Sequence, residues 1–156
     1  MPEPREPKQI RPTTLADYLD VMSKAVFQTG LSWEMVERKW PQIREAFHDF
    51  DPARVATTSG KEMAALQKDP RVIRHAQKLN AVVHNARTML ELEAEHGTFR
   101  KYLRAAPDFD ARVADLRRRF KFLGETGCYY FLYVVREPVP QYDEWCASRG
   151  VAPMRA

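Results

Sequence analysis

Apolar residues recur along this chain at alternating intervals of three and four positions, which is the spacing of one face of an α-helix. The longest unbroken series comprises Trp33, Val36, Trp40, Ile43, Phe47 and Phe50. Residues 15–26 and 72–90 carry the same spacing, whereas the strict alternation of a half-buried strand is scarce. The pattern therefore predicts an all-α fold.

Capping residues divide this pattern into separate helices. Thr13 or Thr14 is placed to begin the first helix, and Gly30 is placed to end it. Ser32 is placed to begin the second helix. Further helix starts are predicted at Asp51 before Pro52, at Ser59 with Glu62 in capping-box spacing, at Thr98 and at Asp110, and Gly97 is predicted to close the long helix.

Three segments are harder to assign from the sequence. Pro41 is predicted to kink or restart the second helix, because proline has no N–H to donate. The run GETGCYYFLYVV has the β-branched and aromatic residues of a strand, but its helical context favours a helix. After Pro138 we expect irregular chain.

The segment QKDPRVIR predicts a tight hairpin between a helix near residues 60–67 and a helix that starts near Arg71. In such a helix–hairpin–helix, free N–H groups and the helix dipole suit a DNA phosphate. Lys68, Arg71, Arg74 and Lys78 surround this point, and the last three have the spacing of one helical face. The alternative is an ordinary helical hairpin whose basic side chains are only solvated.

Length and composition fit one globular domain. The chain has 156 residues and a net charge of +4. Residues 71–121 carry 12 Lys and Arg against 6 Asp and Glu, which suits a polyanion such as nucleic acid or, equally, a solvated basic face. Residues 1–12 contain four prolines and predict a flexible arm before a helical domain at residues 13–156.

The cysteines and the apolar runs of the sequence bear on the cellular location of the protein. Cys128 and Cys146 have neither disulfide-framework nor metal-site spacing, which favours a reducing cytoplasm. No apolar run reaches the roughly 18 residues of a membrane span, and the N-terminus does not read as a signal peptide. We expect a cytoplasmic monomer that does not bind a membrane.

The run GLSWEMVERKWPQIREAFHDFDPARVA resembles the DNA-3-methyladenine glycosylase I family. The resemblance continues through DPRVIRHAQKLNAVVHNAR and RRRFKFLGETGCYYF, and it covers most of residues 27–131. It implies a single compact helical domain with a helix–hairpin–helix. It also implies base-excision repair, in which the N-glycosidic bond to an alkylated purine, 3-methyladenine, is hydrolysed in double-stranded DNA.

The resemblance also implies a pocket for the damaged base. Such an enzyme must flip the nucleotide out of the stack and hold the base against aromatic faces. Trp33 matches the tryptophan expected to stack on the base, and Gln28, Phe27 and Tyr129 are expected to line or support the pocket. From the residues alone, Trp33 reads rather as the head of the apolar series and hence as a core residue.

The match fails at the residues that carry the chemistry. The family has a glutamate that recognises the base, and the matching position here is Ala25. Glu125 is a weak candidate to replace that carboxylate in catalysis. The Cys and His ligands of the family's zinc site are not matched, because Cys146 is alone, so we predict no metal and no other cofactor.

Three functions remain open from the sequence. The first is an active glycosylase for an alkylated purine. The second is a degenerate family member that binds DNA without excising 3-methyladenine, which Ala25 favours. The third is a helical interaction module in which Trp33 belongs only to the core.

Overall fold

The computed structural model describes residues 6–150, and over this range its secondary structure is helical throughout, which confirms the predicted all-α fold. The helices are α1 (Leu15–Gln28), α2 (Trp33–Ala46), α3 (Pro52–Ala56), α4 (Gly60–Leu66), α5 (Ala76–His96), α6 (Phe99–Ala105), α7 (Phe109–Arg119), α8 (Glu125–Val134) and α9 (Tyr142–Arg149), with a short 3-10 turn at His48–Phe50. None of these helices is long and apolar enough to cross a membrane.

Helix α5 lies at the centre of the core. It packs against α1, α3 and α6, and α1 packs in turn against α8. Leu79, Val82, Ala86 and Met89 of α5 are almost completely buried at the spacing of one helical face. The molecule is therefore organised around α5, with α1 packed on α5 and α8 packed on α1.

Most helix starts follow the predicted caps, but the cap of α7 is Asp108 and not Asp110 as predicted, because the Asp108 carboxylate accepts the hydrogen bond from the Ala111 N–H. The Thr14 side chain accepts a hydrogen bond from the backbone N–H of Asp17, and the Ser59 side chain accepts one from Glu62. Asp51 caps α3 ahead of Pro52. These bonds satisfy N–H groups that would otherwise lack partners in the first helical turn.

Two predictions for the less regular segments are wrong. Helix α2 runs through Pro41 without interruption, because this residue lies on the solvent side, where one missing backbone hydrogen bond is tolerated. The chain after Pro138 is not irregular throughout, because α9 forms with Gln141 as its cap and packs Trp145 against Tyr129.

The second helix of the hairpin starts later than predicted. We expected it near Arg71, but α5 begins at Ala76, and the His75 ring accepts the capping hydrogen bond from the Lys78 backbone N–H at 3.2 Å. Before it, the Asp69 carboxylate accepts a bond from the Arg71 backbone N–H at 2.8 Å and holds a turn. Arg71 and Arg74 therefore lie on the loop and do not share a helical face with Lys78.

The described part of the proline-rich arm, residues 6–12, is attached to the end of α8. The Ile10 N–H donates to the carbonyl of Val134 at 2.8 Å, and the Gln9 amide donates to the carbonyl of Tyr133 at 3.0 Å. The Tyr133 hydroxyl donates to the carboxylate of Glu6. This part of the arm is therefore hydrogen-bonded to α8, and residues 1–5 lie outside the described residues.

Candidate base pocket and nucleic-acid interface

The turn between α1 and α2 positions Trp33. Gly30 adopts a positive φ of 74°, which favours glycine, and the Ser32 hydroxyl accepts a hydrogen bond from the Met35 N–H at the start of α2. Trp33 is the first residue of α2 and is only partly buried. Its ring meets that of Tyr130 edge to face, with centroids 5.5 Å apart.

Tyr130 of α8, rather than Tyr129, is the aromatic partner of Trp33. Burial raises the pKa of its hydroxyl, the nearby Glu37 and Asp20 add to that rise, and a hydrogen bond with the Gln28 side chain opposes it. The hydroxyl therefore stays protonated and able to donate. Gly127 is the sequence signal for Tyr130. It lies on the face of α8 that approaches α1, and Tyr130 follows three residues later on the same face.

Tyr129 lies in a separate aromatic cluster on another face of α8. Its ring stacks on Trp145 at 4.7 Å and also contacts Tyr142. Its hydroxyl donates to the carbonyl of Pro140 at 2.6 Å. Consecutive helical residues point about 100° apart, so the structure does not bring Tyr129 to Trp33, contrary to our prediction.

The two predicted residues at the end of α1 have different environments. Phe27 is completely buried and meets the Trp40 ring edge-on at 6.1 Å, so it is a core residue and not a pocket wall, contrary to our prediction. Gln28 is also buried, but its amide reaches the Tyr130 hydroxyl. Gln28, Trp33 and Tyr130 are the residues brought together here.

Ala25 faces the contact between α1 and α8. It is 3% exposed, and a Cβ placed on Gly127 would lie 3.9 Å from its methyl group. Two small residues opposite each other allow the helices to approach closely, and no carboxylate enters at this point. Glu125, the first residue of α8, does not supply the missing carboxylate. It pairs instead with the Arg117 guanidinium of α7, at 3.5 Å.

Charged side chains of α1 and α2 lie near Trp40 and Tyr130. The Lys24 ammonium pairs with Glu37 at 2.5 Å and lies 5.7 Å from the centre of the Trp40 ring. Asp20 accepts a hydrogen bond from the Trp40 indole at 3.0 Å. Burial raises the pKa of Asp20, while that bond and the Arg44 guanidinium lower it.

Only part of the predicted phosphate-binding set is available at the hairpin. Lys68 and Arg74 are exposed, and neither side chain pairs with another residue in the described range 6–150. Arg71 donates to the Asp69 carboxylate at 2.8 Å and to Glu45 at 3.3 Å, and its hydrogen bonds lower the pKa of Asp69. Arg71 therefore holds the loop, and Lys68 and Arg74 are its free cations.

Lys78 does not face solvent, so its assignment to the phosphate-binding set is wrong. It is 4% exposed, and its ammonium donates to the carbonyls of Phe27, at 3.4 Å, and Thr29. These carbonyls end α1, where the helix dipole is negative and a cation is favourable. Lys78 thus joins the first turn of α5 to the turn that carries Trp33.

The described residues do not fit the zinc site that the resemblance implies. No three His, Cys, Asp or Glu side chains within residues 6–150 form a group that could hold a metal ion. Cys146, the one residue near the expected position, is buried with Trp145 and Tyr129. The segment around Cys146, which zinc ligation would hold in the site that the resemblance implies, is held here by aromatic packing.

A cavity of about 190 Å³ lies beside the hairpin, between the end of α2, α3 and α4. Phe47, Val55 and Leu66 supply apolar walls, and His48 and Arg71 supply polar ones. Neither Trp33 nor Tyr130 lines it, so it is distinct from the candidate base pocket.

Comparisons with known proteins converge on one family. The methyladenine glycosylase profile matches residues 16–115. The DNA-3-methyladenine glycosylase of Haemophilus influenzae is 32% identical, over 67% of this chain and 68% of that protein. DNA-3-methyladenine glycosylase 1 of Escherichia coli is 30% identical, over 67% of each chain. The solved 3-methyladenine DNA glycosylase I from Staphylococcus aureus has a TM-score of 0.74 and 25% identity, covering 82% of this chain and 79% of that one.

Proposed function

The chain belongs to the methyladenine glycosylase family, and we propose on that premise that it excises 3-methyladenine or a related alkylated purine from double-stranded DNA. The predicted membership of this family is confirmed. The protein is an N-glycosylase of base-excision repair. Its reaction is hydrolysis of the bond between the base and C1′ of the deoxyribose.

The partly buried Trp33, which meets Tyr130 edge-on, carries the proposal for the site. An extruded purine can stack on the free face of Trp33, while the protonated Tyr130 hydroxyl and the Gln28 amide offer hydrogen bonds to its edge. Trp33 is not the fully buried core residue that a helical interaction module requires.

The carboxylates that act on Tyr130 are those of Glu37 and Asp20. Each is paired with a cation, Glu37 with Lys24 and Asp20 with Arg44, and Ala25 contributes no carboxylate, so we propose that stacking on Trp33 holds a cationic base. A base methylated at N3 carries positive charge and leaves readily. When water adds to C1′ and the C1′–N9 bond breaks, the bond's electron pair neutralises the base and the water's proton passes to solvent.

Release of free base from methylated duplex DNA tests the proposal. We expect the natural protein to release 3-methyladenine. Ala25→Glu and Ala25→Gln form a matched pair, because both add similar volume at the α1–α8 contact and only one adds charge. Thermal unfolding of each variant reports whether the added volume is tolerated.

The degenerate alternative predicts a different result in the same assay. In that case the natural protein binds the duplex but releases no base. Ala25→Glu restores release and Ala25→Gln does not, which would mean that the loss of the carboxylate abolished base excision. The close packing of Ala25 on Gly127 is the observation that favours this second candidate.

The DNA-binding surface is proposed at the hairpin. Arg74 lies two residues before the first residue of α5, where the helix dipole attracts phosphate, and Lys68 lies just after α4 on the same hairpin. We also propose that the protein acts as a monomer in the cytoplasm. Two reduced, buried cysteines among the described residues are consistent with that compartment.

Lys68→Ala and Arg74→Ala are each expected to weaken binding to any duplex and to reduce the salt dependence of binding. Each lost phosphate contact should reduce the slope of log K against log salt by about 1. Lys78→Met is the control, because its buried ammonium contacts no phosphate and should leave the slope unchanged. Titration of fluorescent duplex DNA at several salt concentrations measures this. Unchanged slopes for Lys68→Ala and Arg74→Ala would remove the hairpin from the interface.

A further inference from the structure

Gln28 and Tyr130 supply neutral polar groups to the candidate base pocket. Both side chains are buried, at 6% and 9% exposed, and they are hydrogen-bonded to each other. An amide carries both an acceptor and a donor, and a hydroxyl can act as either. This pair is therefore able to bind a donor or an acceptor on the edge of a base.

The carboxylates near this pair, within the part of the chain that the structure describes, are paired or point elsewhere. Glu37 and Asp20 form ion pairs with a basic residue of the facing helix, at 2.5 and 3.0 Å. Glu34 is exposed and follows Trp33 on α2, where consecutive side chains point about 100° apart. Glu125 pairs with α7. None of these carboxylates is therefore placed to select the base.

Ala25 occupies the position from which a carboxylate would reach the pair. It lies three residues before Gln28 on α1, and residues at this spacing are neighbours on one helical face. Its methyl group is 3% exposed and faces Gly127, which lies three residues before Tyr130 on α8. A methyl group and a glycine fill the place beside both polar side chains, and neither can bind the edge of a base.

This arrangement has a consequence for the choice between adenine and guanine. The two bases differ at position 6, where adenine has an amino donor and guanine has a carbonyl acceptor. A carboxylate that faces position 6 binds the first and repels the second, because it can only accept, whereas an amide or a hydroxyl can bind both. Stacking on Trp33 does not distinguish the bases either, since every base has a π-face.

We propose that the protein also excises 7-methylguanine from double-stranded DNA. This inference rests on the proposed glycosylase function and names its substrate class, which is cationic N-methylpurines selected by the weakness of the glycosidic bond. A methyl group on N7 of guanine gives the base a positive charge, as one on N3 of adenine does. Water adds to C1′, the electron pair of the C1′–N9 bond neutralises the departing base, and the proton of the water passes to solvent.

Duplex DNA treated with tritiated dimethyl sulfate provides both lesions in one substrate. Chromatography separates the released bases, and the single-turnover rate for each is divided by its spontaneous rate of release at the same pH and temperature. We expect the resulting acceleration factors for 7-methylguanine and 3-methyladenine to agree within about 100-fold, because a site without a selective polar reader discriminates only weakly. This measurement uses the natural protein and does not depend on how any variant folds.

Three variants identify the cause of the broad selectivity. Ala25→Glu should lower the acceleration of 7-methylguanine release roughly 10- to 100-fold relative to that of 3-methyladenine, because it adds an acceptor beside the pair. Ala25→Gln adds similar volume without charge and should leave the ratio unchanged. Trp33→Ala should lower both accelerations by the same factor, since stacking serves both bases. Thermal unfolding shows whether each variant remains folded.

The outcomes separate this inference from the function on which it rests. If the natural protein releases 3-methyladenine but accelerates 7-methylguanine release more than about 100-fold less, the broad selectivity is overturned and the glycosylase function stands. An equal loss of both bases in a folded Ala25→Glu would overturn the role given to position 25. If the natural protein releases neither base, the proposed function fails and the inference fails with it.

Discussion

Trp33→Ala is expected to reduce the single-turnover rate of 3-methyladenine release roughly 10- to 100-fold. Trp33 offers the only partly buried aromatic face that the described structure places beside both Tyr130 and the end of α1. Loss of stacking removes 1–3 kcal/mol per base, by the usual effect of alanine substitution. The ring is partly buried and packs against the core, so its loss should cost less stability than the loss of a fully buried tryptophan.

Two neighbouring tyrosines provide the matched control for that prediction. Tyr130→Phe removes the hydroxyl that bonds to Gln28 and should lower base release, whereas Tyr129→Phe removes a hydroxyl that bonds to the Pro140 carbonyl and should not. Both side chains are buried on the same helix, so general packing affects them similarly. Full release by Trp33→Ala, or a loss confined to Tyr129→Phe, would contradict the pocket assigned here.

Lys78→Met is expected to lower the free energy of unfolding by about 2 kcal/mol. The variant keeps the length of the side chain but leaves the carbonyls of Phe27 and Thr29 without their charged donor. For a domain of this size the melting temperature should fall by roughly 4–8 °C. Arg74→Met is the control, because that side chain is exposed and should change stability by less than about 0.5 kcal/mol.

The contribution of Lys78 should also depend on pH. Burial lowers the pKa of its ammonium below the ordinary 10.5, so the folded protein releases this proton at lower pH than the unfolded chain. Between the two pKa values the unfolded chain binds more protons, and the free energy of unfolding rises with pH.

The difference in unfolding free energy between the natural protein and Lys78→Met should therefore grow as the pH rises toward 10.5. Urea unfolding at a series of alkaline pH values measures it. A difference that shrinks over this range would mean that the carbonyls at the end of α1 favour the ammonium by more than burial penalises it.

The fold was largely predictable because its information is local. Intervals of three and four, together with Thr14, Ser59 and Asp51 as caps, mark where helices begin, and tertiary contacts agree with them. The start of α5 was missed because Val72 continues the apolar spacing although it lies on the loop, and because histidine is an unusual cap.

The site was less predictable because it depends on which face of a helix meets another. Tyr129 and Tyr130 are adjacent, both are buried, and the run CYYF has no polar side to orient it. Lys78 was assigned to a basic surface by spacing alone, but its position on α5 faces the end of α1, which is distant in the sequence. Contacts of this kind are not encoded in any local pattern.

The hydrogen bonds between residues 9–10 and the end of α8 have a consequence for synthesis of the protein. They close a loop of more than 120 residues, so the arm can dock only after α8 has left the ribosome. The ribosome adds Tyr130 at about the same stage, because it belongs to α8, whereas it adds Trp33 early in synthesis. A nascent or truncated chain that lacks α8 would expose the apolar face of α1 and Trp33 together. Ribosome-bound intermediates of this length should therefore recruit chaperones, and base excision should appear only with the completed domain.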